Sequence, residues 1–264
     1  MLTKEKLYSS LEKLGILPSD TVIMHTSLKK IGKIEGGAEA LLDWLVEYFT
    51  RGGGLFCVPT HTWHLLLQNT PTLDLTKNES VCGVFTQIAA AHKNAVRSLH
   101  PTHSMVVFGR DACQFIEREK NSVTMVSPSG CYGAFYEACG KILLVGVGQD
   151  KNTYLHSVEE RLGVPNRNDT KLTKTTIKHP DGRIEEREIY QLLAEGIEDV
   201  SYNYPNYEPA FRYHGCIKDG FIGEAKTEAC DAARIYEVMK MIFERSSGRE
   251  LLAKSLPIDE KYYK

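Results

Sequence analysis

The stretch Lys141–Arg161 reads KILLVGVGQDKNTYLHSVEER, and it constrains the fold more than any other part of the chain. Ile142, Leu143, Leu144 and Val145 form an unbroken apolar run. A strand with one wet face would alternate with polar residues, so this run suits a strand covered on both faces, as in a parallel sheet. Gly146 and Gly148 then free the backbone to turn. Asp150, Asn152 and Thr153 each carry a side chain able to cap a helix. The segment after them predicts a helix whose first turn holds His156, with Glu159 and Glu160 one turn on. An imidazole is thereby set just past the carboxyl end of a buried strand, where open α/β sheets bind ligands.

Residues three and four apart share a helix face, so Glu159 or Glu160 can reach His156. The positive end of the helix disfavours a charge on the ring, and a nearby carboxylate favours it. A ring balanced between the two would exchange a proton near neutral pH. The plainer alternative is an ordinary surface pair, because Leu155, Val158 and Leu162 already supply the apolar stripe.

The 264 residues suffice for one large α/β domain. They show no repeat, low-complexity tract or linker, so a single domain over residues 1–264 is expected. A net charge of −2 argues against general nucleic-acid binding. No apolar stretch approaches the ~20 residues of a bilayer span, which leaves no membrane partner. The N-terminal MLTKEKLYSSLEKLG is an amphipathic helix without a signal-peptide core, and the expected location is cytoplasmic. Seven cysteines without paired spacing predict reduced, mostly buried thiols.

Along the chain, Leu2–Leu14 predicts a helix ending at Gly15, and Thr21–Met24 a strand. A basic loop with Lys29, Lys30 and Lys33 leads to Gly36-Gly37 and an amphipathic helix. Gly52-Gly53-Gly54 precede the strand LFCVPT. Residues 65–80 have weak periodicity and suit an active-site loop. Val84–Lys93 and Ala112–Lys120 predict helices, with RSLHPTHSMVVFG between them as a polar loop entering a strand. Ala134–Cys139 predicts a short helix. Lys174–Ile189 alternates around Pro180-Asp181-Gly182, a hairpin signal. Glu224–Arg245 predicts a helix. Buried strands alternating with helices argue for a three-layer α/β/α fold with a mostly parallel central sheet, to which the β-hairpin is appended.

Polar groups recur at the predicted strand ends: His25, Thr26 and Ser27; Thr60, His61 and His64; Arg97, His100, His103 and Ser104. In a parallel sheet those ends share an edge and can line one cleft. The basic loop, with free backbone N–H groups at the helix start after Gly36-Gly37, makes an anion site. The two HxxH pairs, His61/His64 and His100/His103, raise a metal-dependent hydrolase as an alternative. They lack the cysteine pair or HExxH pattern of a zinc site, and no metal is expected. Cys57 near a strand end is a nucleophile only if its thiol is activated, and nothing local would do so.

The pieces HTSLKKIGKIEGG, FCVPTHTW, RSLHPTHSMVVFGRDA, SPSGCYG, LLVGVGQDKNTYLHSVEER and, less strongly, GFIGEAKTEACDAARI occur in this order over most of the chain. Together they resemble the aminoglycoside 3-N-acetyltransferase family of acetyl-CoA-dependent enzymes. RSLHPTHS and NTYLHSVEE are the most specific. The resemblance implies a three-layer α/β/α enzyme that acetylates the 3-amino group of a 2-deoxystreptamine aminoglycoside and confers antibiotic resistance. It places the general base on His156, supported by Glu159 and Asp150. It places acetyl-CoA against Ser27, Leu28, Lys29, Lys30, Ile31, Gly36, Gly37, Ala38, Arg97 and Ser104.

The acceptor side is expected to draw on Thr60, His61, Trp63, Asn152, Thr153 and Glu160. The oxyanion would meet Ser104 or backbone N–H groups. Two segments depart from the family pattern: EDVSYNYPNYEPAFRYHG is tyrosine-rich where an acidic pattern is usual, and residues 65–80 are short compared with many members. An amino sugar, free or nucleotide-linked, is therefore the alternative acceptor, and a non-catalytic coenzyme- or nucleotide-binding protein a further alternative. A homodimer stays open.

Overall fold

The computed structural model describes residues 1–69, 71–77, 79–253 and 256–264. The chain opens with α1 (Lys4–Leu14), β1 (Thr21–Thr26), α2 (Leu28–Ile31), α3 (Gly37–Arg51), β2 (Leu55–Pro59) and β3 (Thr72–Asp74). It continues with α4 (Val84–Ala91), β4 (Val96–Arg97), β5 (Met105–Phe108), α5 (Ala112–Glu117), α6 (Cys131–Glu137), β6 (Lys141–Val145) and α7 (Tyr154–Leu162). The last elements are β7 (Asn168–Lys178), β8 (Ile184–Leu192), α8 (Glu208–Tyr213), β9 (Ile217–Ile222), β10 (Ala225–Asp231) and α9 (Ala232–Arg245).

Seven strands form one sheet in the order β4-β5-β2-β1-β6-β10-β9. β1 pairs in parallel with β2 and with β6, while the four outer pairings are antiparallel. Five strands (β1, β2, β4, β6, β9) thus run one way and two the other, so the sheet is mostly parallel in direction yet mixed in pairing. Alternation along β6 explains its apolar run. Leu143 and Val145 pack into a core with Leu7 and Leu11 of α1, Leu41 and Leu45 of α3 and Phe85 of α4. Ile142 and Leu144 pack into the opposite core with Phe115, Phe135, Leu155, Phe211 and Ile235 from α5, α6, α7, α8 and α9. The three expected layers are these two helical layers and the sheet between them.

Local signals set the ends of several elements. Thr3 caps α1 through its side-chain oxygen, and Gly15 closes it in the left-handed region at φ 78°. At Gly54 a Cβ would stand only 2.3 Å from the Asp20 carbonyl oxygen, so glycine is required where β2 starts beside β1.

The hairpin appears as β7 and β8 and is joined by β3, which pairs in parallel with β7. This three-stranded sheet has its own small cluster of Leu65, Leu73 and Ile177. The expected loop 65–80 is structured only in part, by the end of a 3₁₀ turn at Trp63–Leu67 and by β3; its Thr70 and Asn78 lie outside the described residues.

One element was misread. Residues 225–231 are not the first turns of a helix but β10, the strand joining β6 to β9. Ala, Lys and Glu in AKTEACD favour a helix locally. Ladder bonds on both sides of the segment override that preference. Four of the seven cysteines (57, 131, 216, 230) are buried, and all seven are free. No described helix is long and apolar enough to cross a membrane.

Candidate active site

Strand direction decides which side chains meet. β1, β2 and β6 end together, which brings Thr26, Thr60 and Gly146 to one edge. β5 is antiparallel to β2, with Pro59 opposite Met105, so its beginning, at Ser104, lies on that same edge. Gly146 turns with φ 67°, and a 3₁₀ turn at Gln149–Lys151 carries the chain into α7. Thr153 occupies the N-cap position of α7 without a side-chain cap bond.

His156 is only 9% exposed, so it is no surface residue. Its partner differs from the one spacing suggested. The Tyr204 hydroxyl stands 2.6 Å from Nδ1 of His156 and donates to Glu159 Oε2 at 2.8 Å. Glu159 is fully buried, and Arg167 donates to it from Nε at 2.6 Å and from Nη2 at 2.8 Å. Arg167 also pairs with Glu250. Burial raises the Glu159 carboxyl above its ordinary value, and the guanidinium and phenol oppose that rise. Three donors converge on it, which favours the carboxylate. Nε2 of His156 has no hydrogen-bond partner among the described residues, and it is not sealed from solvent as Nε2 of His25 and His61 are.

The expected proton balance near neutral pH is corrected. Burial, with His103 adding to it, pushes His156 down to about 3, and nearby Asp199 raises it only in part. The ring is neutral at pH 7 because desolvation exceeds the carboxylate's pull.

The two HxxH pairs meet each other. The His61 ring lies 4.5 Å from that of His103, and His100 lies 6.1 Å from His103. His100 Nδ1 accepts from the backbone N–H of Thr102 and His103 at 3.2 and 2.9 Å, which folds the HPTHS turn. Burial holds His25 and His103 down at about 4, and His61 and His100 well below their ordinary value. Among the described residues no group of three or more His, Cys, Asp or Glu is arranged to hold a metal.

Arg97 spans two strand ends and a loop. It donates from Nε to Ser104 Oγ at 3.0 Å and from Nη2 to the carbonyls of Thr60 and Glu79 at 2.8 Å each. The Ser104 hydroxyl donates to the Thr60 carbonyl at 3.1 Å, so its single proton is committed. Arg97 Nη1 is enclosed without a described partner, and burial lowers this guanidinium to about 10. Ser27 starts α2, with Leu28 half-buried, Ile31 buried, and Lys29 and Lys30 exposed. Gly36 and Gly37 take φ 70° and 80° at the start of α3, and Ala38 follows in its first turn.

The remaining expected residues scatter. Thr60 is buried, with its hydroxyl on Ser104, while Trp63 is 52% exposed. Asn152 is buried and donates to Gln149 at 2.9 Å. Asp150 pairs with Lys151 at 3.0 Å, and no bond joins it to His156. Glu160 turns from His156 to Thr124, which donates to it at 2.6 Å. Val123, next to Thr124, lines a cleft of about 940 Å³ under the hairpin, walled also by Lys120, Arg187, Glu186 and Glu188. Cys57 is buried in β2 and burial pushes its thiol up, which disables it as a nucleophile.

Tyr204, Arg167 and Asp199 were missed as site residues. Tyr204 and Asp199 lie in the tyrosine-rich segment that departs from the family pattern, which was the one available signal. Arg167 had none.

A sequence model of the aminoglycoside 3-N-acetyltransferase family matches residues 23–244. Aminoglycoside N(3)-acetyltransferase III of Serratia marcescens is 27% identical over 201 residues, 70% of this chain and 73% of that protein. The aminoglycoside N(3′)-acetyltransferase-like protein YokD of Bacillus subtilis is 24% identical over 179 residues, 61% of this chain; the match spans 65% of its length, just under two thirds. The structure of AAC-IIIb binary with CoASH superposes with a TM-score of 0.78 at 21% identity, covering 92% of this chain and 97% of that one. At that identity the likeness establishes the shared fold, and the match over residues 23–244 establishes the lineage: the chain belongs to the aminoglycoside 3-N-acetyltransferase family.

Proposed function

We propose that this protein transfers the acetyl group of acetyl-CoA to the 3-amino group of a 2-deoxystreptamine aminoglycoside and so confers resistance. The observation that carries the reading is His156: a neutral imidazole tied at Nδ1 and open at Nε2, at the sheet edge where the strand ends meet.

The acceptor amine, in its unprotonated form, attacks the thioester carbonyl; a C–N bond forms while the carbonyl π pair moves onto oxygen, and its return expels the sulfur. The nitrogen of the resulting tetrahedral adduct is far more acidic than a free ammonium. His156 takes that proton at Nε2, even with its lowered basicity, and the Tyr204–Glu159 pair faces the imidazolium that forms. The C–S bond then breaks and the coenzyme leaves as thiolate. The residues fit a coenzyme with phosphates: α3 starts at two glycines, its first-turn N–H groups beyond Gly37 face out of the N-terminus while that of Gly37 donates to the Ile34 carbonyl, and a Cβ on Gly37 would meet nothing within 4 Å. Lys29, Lys30 and Lys33 are exposed beside it. Ser27, Leu28, Ile31, Ala38, Arg97 and Ser104 would complete that side. Asp199 near His156 supplies a negative charge beside the ring that favours a cationic acceptor.

The test is thiol release from acetyl-CoA with a panel of aminoglycosides and amino sugars, beside gentamicin susceptibility of a bacterium expressing the gene. Thiol release with aminoglycosides and raised resistance are expected. Release only with a nucleotide-linked amino sugar would move the enzyme to the assembly of polysaccharides or natural products.

A further inference from the structure

We propose that Tyr204 is a positioning residue for this reaction: its hydroxyl keeps the proton of His156 on Nδ1 and leaves the Nε2 lone pair facing the acceptor amine. This rests on the general-base reading of His156.

The argument is a count of protons. A phenol has one proton to give and lone pairs to receive. Glu159 is fully buried, and a carboxylate only accepts. At 2.8 Å the Tyr204 proton therefore belongs to Glu159. The Tyr204 oxygen is then an acceptor, and at 2.6 Å it faces Nδ1 of His156, which must carry the hydrogen. A neutral imidazole has a single N–H, so Nε2 is bare.

The chain is held at its far end. Arg167 is 4% exposed and donates to Glu159 through two nitrogens, while its Nη1 donates to the Asn166 carbonyl at 2.9 Å. A carboxylate gripped this way cannot turn away from Tyr204. The phenol ring is itself fixed, fully buried and edge-on to the imidazole with centroids 4.8 Å apart. The charged or titratable groups acting on the ring are His103, Asp199, Arg167 and His61, and among the described residues none of them bonds a ring nitrogen. Without the hydroxyl no described residue holds hydrogen on Nδ1. The ring would relax toward the Nε2–H form that free histidine favours in water, and the base would be lost from the acceptor side.

The experiment compares wild type, Tyr204→Phe and His156→Ala. Two-bond ¹⁵N–¹H spectra read the tautomer, with the His156 signal assigned by its loss in His156→Ala. Wild type is expected to be Nδ1–H, and Tyr204→Phe to shift toward Nε2–H. With acetyl-CoA and an accepted amine, Tyr204→Phe is expected to lower kcat by less than the ~10²–10⁴-fold of a removed general base, with KM for acetyl-CoA unchanged. An Nε2–H signal in wild type overturns the proposal even if Tyr204→Phe fails to fold. An unchanged tautomer in folded Tyr204→Phe, beside an inactive His156→Ala, overturns the Tyr204 assignment alone. Wild-type kcat in His156→Ala overturns the general-base reading and with it the catalytic role of Tyr204.

Discussion

The hydroxyl of Tyr204 stands 2.6 Å from Nδ1 of His156, although 48 positions separate the two residues in the chain. Through the same hydroxyl His156 is coupled to Glu159, its neighbour on α7, which spacing alone would pair with it directly. The indirect route defines how the ring presents its second nitrogen.

Removal of that ring is the first expectation. His156→Ala should lower kcat by about 10²–10⁴-fold, the range for a lost general base. Acetyl-CoA affinity, read by calorimetry, should stay near wild type. Glu159→Gln should cost less in kcat, since the imidazole remains. A folded His156→Ala enzyme with full turnover would send the search for the base to His100 or His103.

Stability should depend on pH through the histidines. In the folded protein burial holds His61, His100 and His156 below their ordinary value, His156 at about 3. The unfolded chain takes up those protons as pH falls through about 6.5, and the folded chain does not. Unfolding therefore binds protons below that pH, so stability is fully present above about 6.5 and lost on acidification. Each such histidine contributes a slope of about 1.4 kcal/mol per pH unit. The melting temperature should be flat above about pH 7 and fall steeply toward about pH 5. A melting temperature that holds or rises over that interval would contradict neutral, buried rings. For the same reason, no limb of the kcat profile between about pH 5 and 8 should vanish in His156→Ala.

The buried ion pair sets the next expectation. Arg167 and Glu159 are 4% and 0% exposed. Removing one member leaves the other charge uncompensated in the interior, a loss of about 3–5 kcal/mol. Arg167→Ala should therefore lower the denaturant midpoint markedly and reduce activity together with it. Denaturation curves within about 1 kcal/mol of wild type would show that the pair contributes little to stability.

Direct transfer to the amine predicts a dispensable thiol. Cys57→Ala should keep turnover within a few fold, apart from a modest packing loss, because the thiol is buried and pushed up by burial. Mass spectrometry after mixing with acetyl-CoA should find no acetylated cysteine. A trapped acetyl-thioester on Cys57 that acceptor discharges would replace direct attack with a two-step route.

Contiguous signals determined much of this protein. The apolar run Ile142–Val145 declared a strand covered on both faces, and both cores confirm it. Gly15 ended α1 where it was expected, and Pro180-Asp181-Gly182 turned the hairpin between β7 and β8. The place of His156 after a buried strand was equally legible, since strand, turn and helix lie within about twenty consecutive residues.

Tertiary structure decided what those signals could not. Ala225–Asp231 has a helix-forming composition and became a strand because β6 and β9 offered ladders on both sides. His61 met His103 because β5 runs antiparallel to β2 and returns the HPTHS turn to the edge where β2 ends. Tyr204 and Arg167 reached His156 and Glu159 from segments with no periodic relation to α7. Periodicity reports which face of an element is buried, but a hydrogen bond between distant segments depends on how the elements pack, and packing also decides that burial outweighs charge at His156.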